Sequence, residues 1–434
     1  MKTDIIIIGS GPGGYRTASY ALQQGKQVVI IEKAEAGGTC LNSGCIPTKC
    51  LAHDAEANAS DFPAAAERKR NVMDQLRQGI EQLLSAPGIT LVRGEATFKD
   101  ARTVTVDGTD YEADDIIIAT GSNCKMPPVE GIDNPRVITS TEALNFQTLP
   151  AEIVIIGAGV IGMEFASILS RFGAKVSVIE YLKECLPVID KDIAKRVRKQ
   201  IEKLQGVTFY MDSAVKAIND NEVVFVSNKN GKETRLECPA CPVLIATGRK
   251  PNIEGLNLEA AGVEYSPKGI TVNDNMLTSV PHIYAIGDVT GRQMLAHAAT
   301  FMGFRAVNAI VGKADKIRFD IMPSAIFTYP EAAAVGLTED QCKQQGIECR
   351  SLKGYYRANG KALAIEEPEG MVKLVAGADG KILGCTSYGA HSADIVQEVT
   401  AYMNCNATVA DIADSVHIHP TLSEILQDAC VDGH

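Results

Sequence analysis

The chain has 434 residues, 45% of them apolar, and 42 Lys and Arg stand against 53 Asp and Glu for a formal charge of −11. At roughly 100–200 residues per domain this length suits two to four domains, and an acidic chain with no Trp argues against nucleic acid or an anionic membrane as main partner. Twelve scattered Cys are too sparse for a secreted disulfide scaffold, and no apolar run approaches the ~20 residues that span a bilayer, so a cytoplasmic chain with mostly buried, reduced thiols is expected.

Ile5–Glu32 reads IIIIGSGPGGYRTASYALQQGKQVVIIE. An apolar run, a Gly-rich turn, a helical stretch, a Gly and a second apolar run make a strand–helix–strand unit of the dinucleotide-binding kind. Gly9 lets the chain turn out of the strand, Gly11 leaves room for a pyrophosphate, and Gly14 lets helix and strand pack closely. The helix N-terminus offers unpaired N–H groups and a positive dipole end to the phosphates. Glu32, 23 residues after Gly9, ends the second strand, where a carboxylate can bond a ribose diol.

Residues 37–49 read GGTCLNSGCIPTK and begin five residues after Glu32, close to the first nucleotide site. Gly44 supplies slack to bring Cys40 and Cys45 within disulfide range, and Pro47 suits the first turn of a helix. A thiol at a helix N-terminus beside Lys49 is favoured as thiolate. On the residues alone this is either a redox-active pair or two reduced core cysteines. Residues 58–85 follow as a polar helix, and 116–121 as a strand ending in a turn.

Ile153–Glu180 reads IVIIGAGVIGMEFASILSRFGAKVSVIE and repeats the first unit without a gap at an offset of 148. Gly157, Gly159, Gly162 and Glu180 take the same places as their counterparts in the first copy. So wide an offset excludes a solenoid and means two nucleotide domains. Glu180 would repel a 2′-phosphate and no Arg follows until Arg196, so the second unit suits NAD rather than NADP. Strand-like runs return at 243–248 and 283–288. From about residue 320 the texture changes to short β-rich runs with one or two helices, a separate terminal domain.

GGTCLNSGCIPTK resembles the redox-disulfide motif of the flavoprotein disulfide reductases, the class I pyridine nucleotide-disulfide oxidoreductases. ATGS at 119–122, ATGRKPN at 246–252, IYAIGD at 283–288, MLAH at 294–297, FTYPEAAAVGLTE at 327–339 and HIHPTLSE at 417–424 are similar to that family's motifs, in its order. The chain is most similar to the dihydrolipoamide dehydrogenases within it. The resemblance implies an α/β fold of two Rossmann-like domains, for FAD and NAD, with a C-terminal α+β dimerisation domain. The implied bounds are 1–145 and 266–318 for a split FAD domain, 146–265 for the NAD domain and 319–434 for the interface.

By the same resemblance, Cys45 is the thiol beside the flavin and Cys40 the outer thiol that exchanges with substrate. Lys49 sits near the flavin, paired with Glu164. Glu32 is implied at the FAD ribose and Asp288 near the ribityl–pyrophosphate. Further cofactor contacts are implied at Ala96, Thr120, Gly121, Ser122, Val215, Gly248, Met294, Leu295, Ala296 and His297. Dithiol oxidation needs a general base, and an imidazole, titrating near neutrality, suits it. His419 precedes Pro420, and Glu424, at the start of a helix that Ser423 can cap, is close enough to orient the ring. In the family this pair reaches the other subunit's flavin site, which implies a homodimer; His417 is read as structural.

The implied reaction is oxidation of dihydrolipoamide by NAD, the lipoyl group being carried by a domain of a 2-oxo-acid dehydrogenase or glycine-cleavage complex. The alternatives are an NAD(P)H-dependent reductase of another disulfide or electrophile, and a non-catalytic flavoprotein subunit. No metal, nucleic acid or membrane span is expected. Cys238-Pro239-Ala240-Cys241 is a CxxC with no second pair and is read as two structural thiols. The single Cys430 argues against mercuric reduction. Residues 387–394 depart from the family's Gly-Pro-Gly form, and the region from Lys49 to Ala96 is shorter than usual, which bears on the substrate channel.

Overall fold

The computed structural model describes residues 1–57 and 61–431, with the backbone alone at Leu204. The fold is mixed α/β, built on two Rossmann-like sheets and a C-terminal antiparallel sheet. In the first sheet Lys2–Ile8 runs parallel to Val28–Glu32 on one side and to Thr109–Ile118 on the other. Ile5, Ile6 and Ile7 are fully buried, as a parallel strand covered on both faces requires. Ile283–Ala285 returns from far along the chain to pair with Thr109–Ile118 in the same sheet. The segment between therefore interrupts one layer without breaking it.

The second sheet is all parallel and five-stranded, in the order Thr208–Tyr210, Lys175–Ile179, Glu152–Ile156, Val243–Ile245, Val137–Ile138. A three-stranded antiparallel sheet, Ser213–Ile218, Glu222–Ser227 and Glu233–Glu237, packs beside it. The C-terminal sheet has five antiparallel strands, with Met371–Gly377 buried along its whole length. More helices accompany it than the one or two expected: Glu339–Gln344, Gly360–Ala364, Ser392–Asn404, Val409–Asp414 and Glu424–Val431. Two are a turn and a half long and are closed by capping boxes, Thr338 with Gln341 and Thr408 with Asp411. Such local caps let short helices form without a long apolar stripe.

The polar helix expected over 58–85 spans Phe62–Leu84 and starts at Asp61, whose side chain accepts the Ala64 N–H at 3.0 Å. Residues 58–60 lie outside the described residues. Among the described residues, no helix is long and apolar enough to cross a membrane.

Candidate functional site

The two Gly-rich turns have one geometry. Gly9 and Gly157 sit at φ +103° and +106°, and a Cβ on either would lie 2.5 Å from a carbonyl oxygen, of Ala119 or Ala246. A Cβ on Gly14 would lie 1.9 Å from the Gly9 carbonyl oxygen, and one on Gly162 2.0 Å from that of Gly157. Those four glycines are required by the fold itself. Gly11 and Gly159 are not. Both have ordinary negative φ (−64° and −73°), and a Cβ there would meet nothing nearer than Gly38 Cα at 3.9 Å, or nothing at all. Each precedes a helix N-terminus, so the missing side chain leaves a cradle of the size and polarity a pyrophosphate needs.

Glu32 and Glu180 close the two turns alike. Glu32 accepts the Ser10 N–H and hydroxyl and the Ala34 N–H, all at 2.8 Å. Glu180 accepts the Ala158 N–H, and the Leu182 N–H at 2.7 Å. Each carboxylate is thus held by backbone at the strand end, facing its turn. The residues present fit two dinucleotides.

Around the first turn, Gly38 at φ +58° lies so close to Gly11 that a Cβ would be 2.6 Å from its Cα, and Gly37 N–H bonds the Ser10 carbonyl. The cysteine segment is thereby tied to the phosphate turn. Ser122 donates to Asp288, and Arg249 donates to the Ser122 hydroxyl at 2.7 Å. Burial pushes the Asp288 carboxyl up, with Ser122 and Arg249 opposing. Thr120 donates to the Asn252 carbonyl across the positive-φ Gly121. Met294 and Leu295 lead into the helix Ala296–Ile310, on which His297 meets the Pro323 carbonyl at 2.8 Å. Ala96 is buried in the first core, while Val215 packs against the core beneath the second sheet. Gly248 follows the strand Val243–Ile245 at φ +112°. Arg249 and Asn252 were not singled out from sequence, although both stand inside a quoted motif.

Cys45 opens the helix Cys45–Glu56, and Gly44 explains how Cys40 reaches it. A Cβ at Gly44 would lie 2.8 Å from the Thr39 carbonyl oxygen and 3.4 Å from Cys40 Cα, so only glycine admits this approach. Both cysteines are free thiols, Cys45 exposed and Cys40 half-buried. The Cys40 thiol donates to Cys45 and so lowers its pKa to about 7; desolvation by the protein packed around the sulfur opposes this and the Lys49 charge assists. Cys40, the donor, is pushed up in turn. The pair is asymmetric: Cys45 is the thiol favoured as thiolate.

Lys49 Nζ lies 2.9 and 3.0 Å from the two Glu164 oxygens and 4.6 Å from the centre of the Phe327 ring. Glu164 is 4% exposed and also accepts the Phe327 N–H at 2.9 Å. One buried carboxylate thus fixes the lysine, one turn beyond Cys45, and the start of the terminal domain. Phe327 also stands in a quoted motif without having been assigned a role. A cavity of about 420 Å³ opens beside Lys49, lined by His53, Arg171, Phe327, Tyr329 and Glu331 among others. Burial raises Glu331 to about 7.

His419 and Glu424 stand together at the far end of the chain. His419 Nδ1 is 2.8 Å from Glu424 Oε1, while Glu424 Oε2 accepts the Thr421 N–H at 2.7 Å. The His419 side chain is 81% exposed, whereas that of His417 is 5% exposed between Glu398 and the Ser415 carbonyl. The helix Glu424–Val431 packs on the strands Cys349–Tyr355 and Met371–Gly377, so this pair belongs to the terminal domain. Cys430 is buried in the core there.

Residues 3–303 match the family described as pyridine nucleotide-disulphide oxidoreductase, and residues 322–430 match its dimerisation domain. The dihydrolipoyl dehydrogenase of Bacillus subtilis (strain 168) is 38% identical over 98% of this chain and 97% of its own length. Dihydrolipoyl dehydrogenase 3 of Haloarcula marismortui is 37% identical over 99% and 96%. Among solved structures, the HOCl-induced flavoprotein disulfide reductase RclA from Escherichia coli is similar with a TM-score of 0.90 at 30% identity, covering 99% of both chains.

Proposed function

This chain belongs to the pyridine nucleotide-disulphide oxidoreductase family, and from that premise we propose that it is an NAD-linked dihydrolipoamide dehydrogenase. Full-length likeness to dihydrolipoyl dehydrogenases supports the substrate. The observation that carries the chemistry is the asymmetric Cys40–Cys45 pair at a helix N-terminus beside the Lys49–Glu164 ion pair. We take its FAD domain as 1–145 with 266–318, its NAD domain as 146–265 and its interface as 319–434. The return of Ile283–Ala285 to the first sheet supports the split.

The cycle starts from the Cys40–Cys45 disulfide. His419, oriented by Glu424, takes a proton from one substrate thiol. The resulting thiolate attacks Cys40 Sγ, the S–S bond breaks, and Cys45 leaves as a thiolate stabilised by the helix N-terminus and Lys49. The second substrate thiol then displaces Cys40, releasing the oxidised cyclic disulfide. Cys40 takes the proton of that second thiol, and its hydrogen bond to Cys45 then keeps the Cys45 pKa low. When bound, FAD would supply the two-electron carrier between this dithiol and NAD; Cys40 gives up its proton as the Cys40–Cys45 bond re-forms, returning the pair to its starting state. Glu32 and Glu180 bind the two ribose diols, and the cradles at Gly11 and Gly159 receive the phosphates. Because His419 lies in the dimerisation domain, we propose that it serves the cysteine pair of the other protomer in a homodimer. A lipoyl carrier domain in the cytoplasm is the proposed partner.

A second reading, reduction of another disulfide by NADH, is favoured by the likeness to the reductase RclA. Steady-state rates separate the two. The proposal requires kcat/KM for dihydrolipoamide with NAD⁺ to exceed that for any small disulfide with NADH. The opposite ranking would overturn it in favour of the reductase.

A further inference from the structure

Cys238 and Cys241, read from sequence as structural thiols, occupy a more specific environment than that reading allows. They flank an exposed turn, Pro239-Ala240, in which Ala240 has φ +58° and the Cys241 N–H bonds the Cys238 carbonyl at 3.3 Å. Such a turn keeps the end Cα atoms within ~7 Å, a separation a disulfide can close. The Cys241 thiol favours the Cys238 thiolate by hydrogen bonding, against burial and with Arg136 assisting. Arg136 Nη1 lies 3.2 Å from Cys238 Sγ and 3.8 Å from Cys241 Sγ. The guanidinium is held over them by the carbonyls of Cys238, Cys241 and Glu222, at 3.0, 3.3 and 2.6 Å.

The charge balance is the telling point. Among the described residues no carboxylate ion-pairs with Arg136, so the charged partner this geometry suits is a thiolate. A cation beside both sulfurs also disfavours a bound metal ion, and no cluster of three metal-ligating side chains occurs among the described residues. Two ordinary core thiols need no arginine.

We propose that Cys238 and Cys241 are a second dithiol–disulfide centre, separate from Cys40 and Cys45, whose oxidant is hydrogen peroxide. Burial selects a small oxidant: Cys238 is 0% and Cys241 6% exposed, which shuts out a bulky disulfide, and peroxide, being small, needs only a slight opening of the exposed Pro239-Ala240 turn to reach Cys238. The Cys238 thiolate attacks one peroxide oxygen. The O–O bond breaks, Cys238 becomes a sulfenic acid, and the departing hydroxide takes a proton to leave as water. Cys241 then loses its proton and its sulfur attacks Cys238 Sγ; the S–O bond breaks, a second water leaves, and the disulfide forms. Two thiols give up two electrons and one peroxide is reduced to two waters. The disulfide would close two residues before the strand Val243–Ile245, and Ala246, just past that strand, lies against Gly157 of the second nucleotide turn.

The test uses the full-length holoenzyme, fully reduced, desalted and dosed with hydrogen peroxide, then quenched and alkylated under denaturing conditions. The tryptic peptide Leu236–Arg249 carries both cysteines and no other, so its internal disulfide, lighter by two hydrogens than the dithiol, is read directly by mass. The peptide should convert to the disulfide in the folded enzyme and revert with dithiothreitol. Arg136→Gln should slow conversion by about ten-fold or more, and Arg136→Lys should restore most of it, as expected where a cation stabilises the attacking thiolate. Should Arg136→Gln not fold, Cys241→Ser provides the second reading: Cys238 should then stop at a sulfenic acid that dimedone traps. A peptide that stays doubly alkylated in the folded enzyme, an Arg136→Gln variant that oxidises at the wild-type rate, or a Cys241→Ser variant that dimedone does not label would each overturn the proposal.

Discussion

His419 Nδ1 and Glu424 Oε1 are 2.8 Å apart, and the second oxygen of the same carboxylate is anchored by the Thr421 N–H. A ring held through Nδ1 leaves Nε2 free, and the side chain is largely exposed, so that nitrogen is open to an incoming thiol. His419→Gln should lower kcat for dihydrolipoamide oxidation by roughly 10²–10⁴-fold, the usual contribution of a general base. Electron transfer from NADH to an artificial acceptor, which needs no thiol deprotonation, should be unchanged. Glu424→Gln should cost less, about ten-fold, because Gln can still accept the Thr421 N–H. The Thr421 N–H first, and His419 second, lower the Glu424 pKa. The orienting charge is therefore complete at neutral pH and is lost only as pH falls through the lowered carboxylate range. Equal rates for wild type and His419→Gln would remove His419 from the mechanism.

The Cys45 thiolate predicts a titration. Its pKa of about 7 is lower than an ordinary thiol's, through the Cys40 hydrogen bond first, with Lys49 assisting against burial. In the reduced protein the alkylation rate at Cys45 should rise through pH 7, followed by peptide mass after short exposure to iodoacetamide. Cys40→Ala removes the larger cause and should move the midpoint up further than Lys49→Met does. The sign for stability follows: a thiol depressed on folding stabilises the reduced form above its unfolded pKa near ~8.5, and that contribution fades as pH falls through about 7. A midpoint at ~8.5 in the wild type would contradict the asymmetric pair.

What sequence made legible was what one segment decides by itself. The glycine spacing reports steric demands between residues a few positions apart, as Gly14 against Gly9 shows, and both nucleotide units could be read from it. Capping boxes at Thr338 and Thr408 were equally local, yet the helices they start are so short that no apolar period announced them. The rest depends on distant partners. Arg136 meets Cys238 across 102 positions, and Lys49 meets Glu164 across 115. Spacing alone names neither, and the second pair was reached only through resemblance. Lys373, a lone charge in the buried run MVKLVAG, was a signal that a counter-ion exists, but not of where.

The glycines of one turn separate fold from ligand. Gly162→Ala would place a Cβ 2.0 Å from the Gly157 carbonyl oxygen, against backbone that cannot yield. That variant should be lost to misfolding or melt many degrees lower. Gly159→Ala meets no protein atom within 4 Å, so its melting temperature should stay near wild type, a helix-start Gly→Ala change being worth about 1 kcal/mol at most. Its NADH affinity should nonetheless fall, by about ten-fold or more, as the methyl enters the phosphate cradle. Calorimetric titration of NADH against the folded variant checks this, and unchanged affinity would mean the cradle does not hold the phosphates.

Lys373 ties the second nucleotide layer to the terminal sheet. Its Nζ is 2.8 Å from Asp190 and also bonds Glu339, and the side chain is 4% exposed. Burial pulls the ammonium pKa down, but the Asp190 and Glu339 bonds outweigh it and the net shift is upward. The contribution is thus complete below ~10.4 and is lost only as pH climbs through the raised value. Lys373→Met strands the buried Asp190 carboxylate beside the half-buried Glu339, and breaking a buried pair from one side typically costs about 3–5 kcal/mol. The melting temperature should fall by several degrees. Asp190 also caps the helix Lys191–Gln205 through the Asp192 N–H at 2.9 Å, a bond Asn can keep. Adding Asp190→Asn to Lys373→Met should therefore recover part of the loss, because it removes the stranded charge but not the cap. If the double variant melts lower by the full sum of the two single changes, the two residues are not energetically coupled, and the layers are held by apolar packing around Ile326, Ala334 and Tyr388 instead.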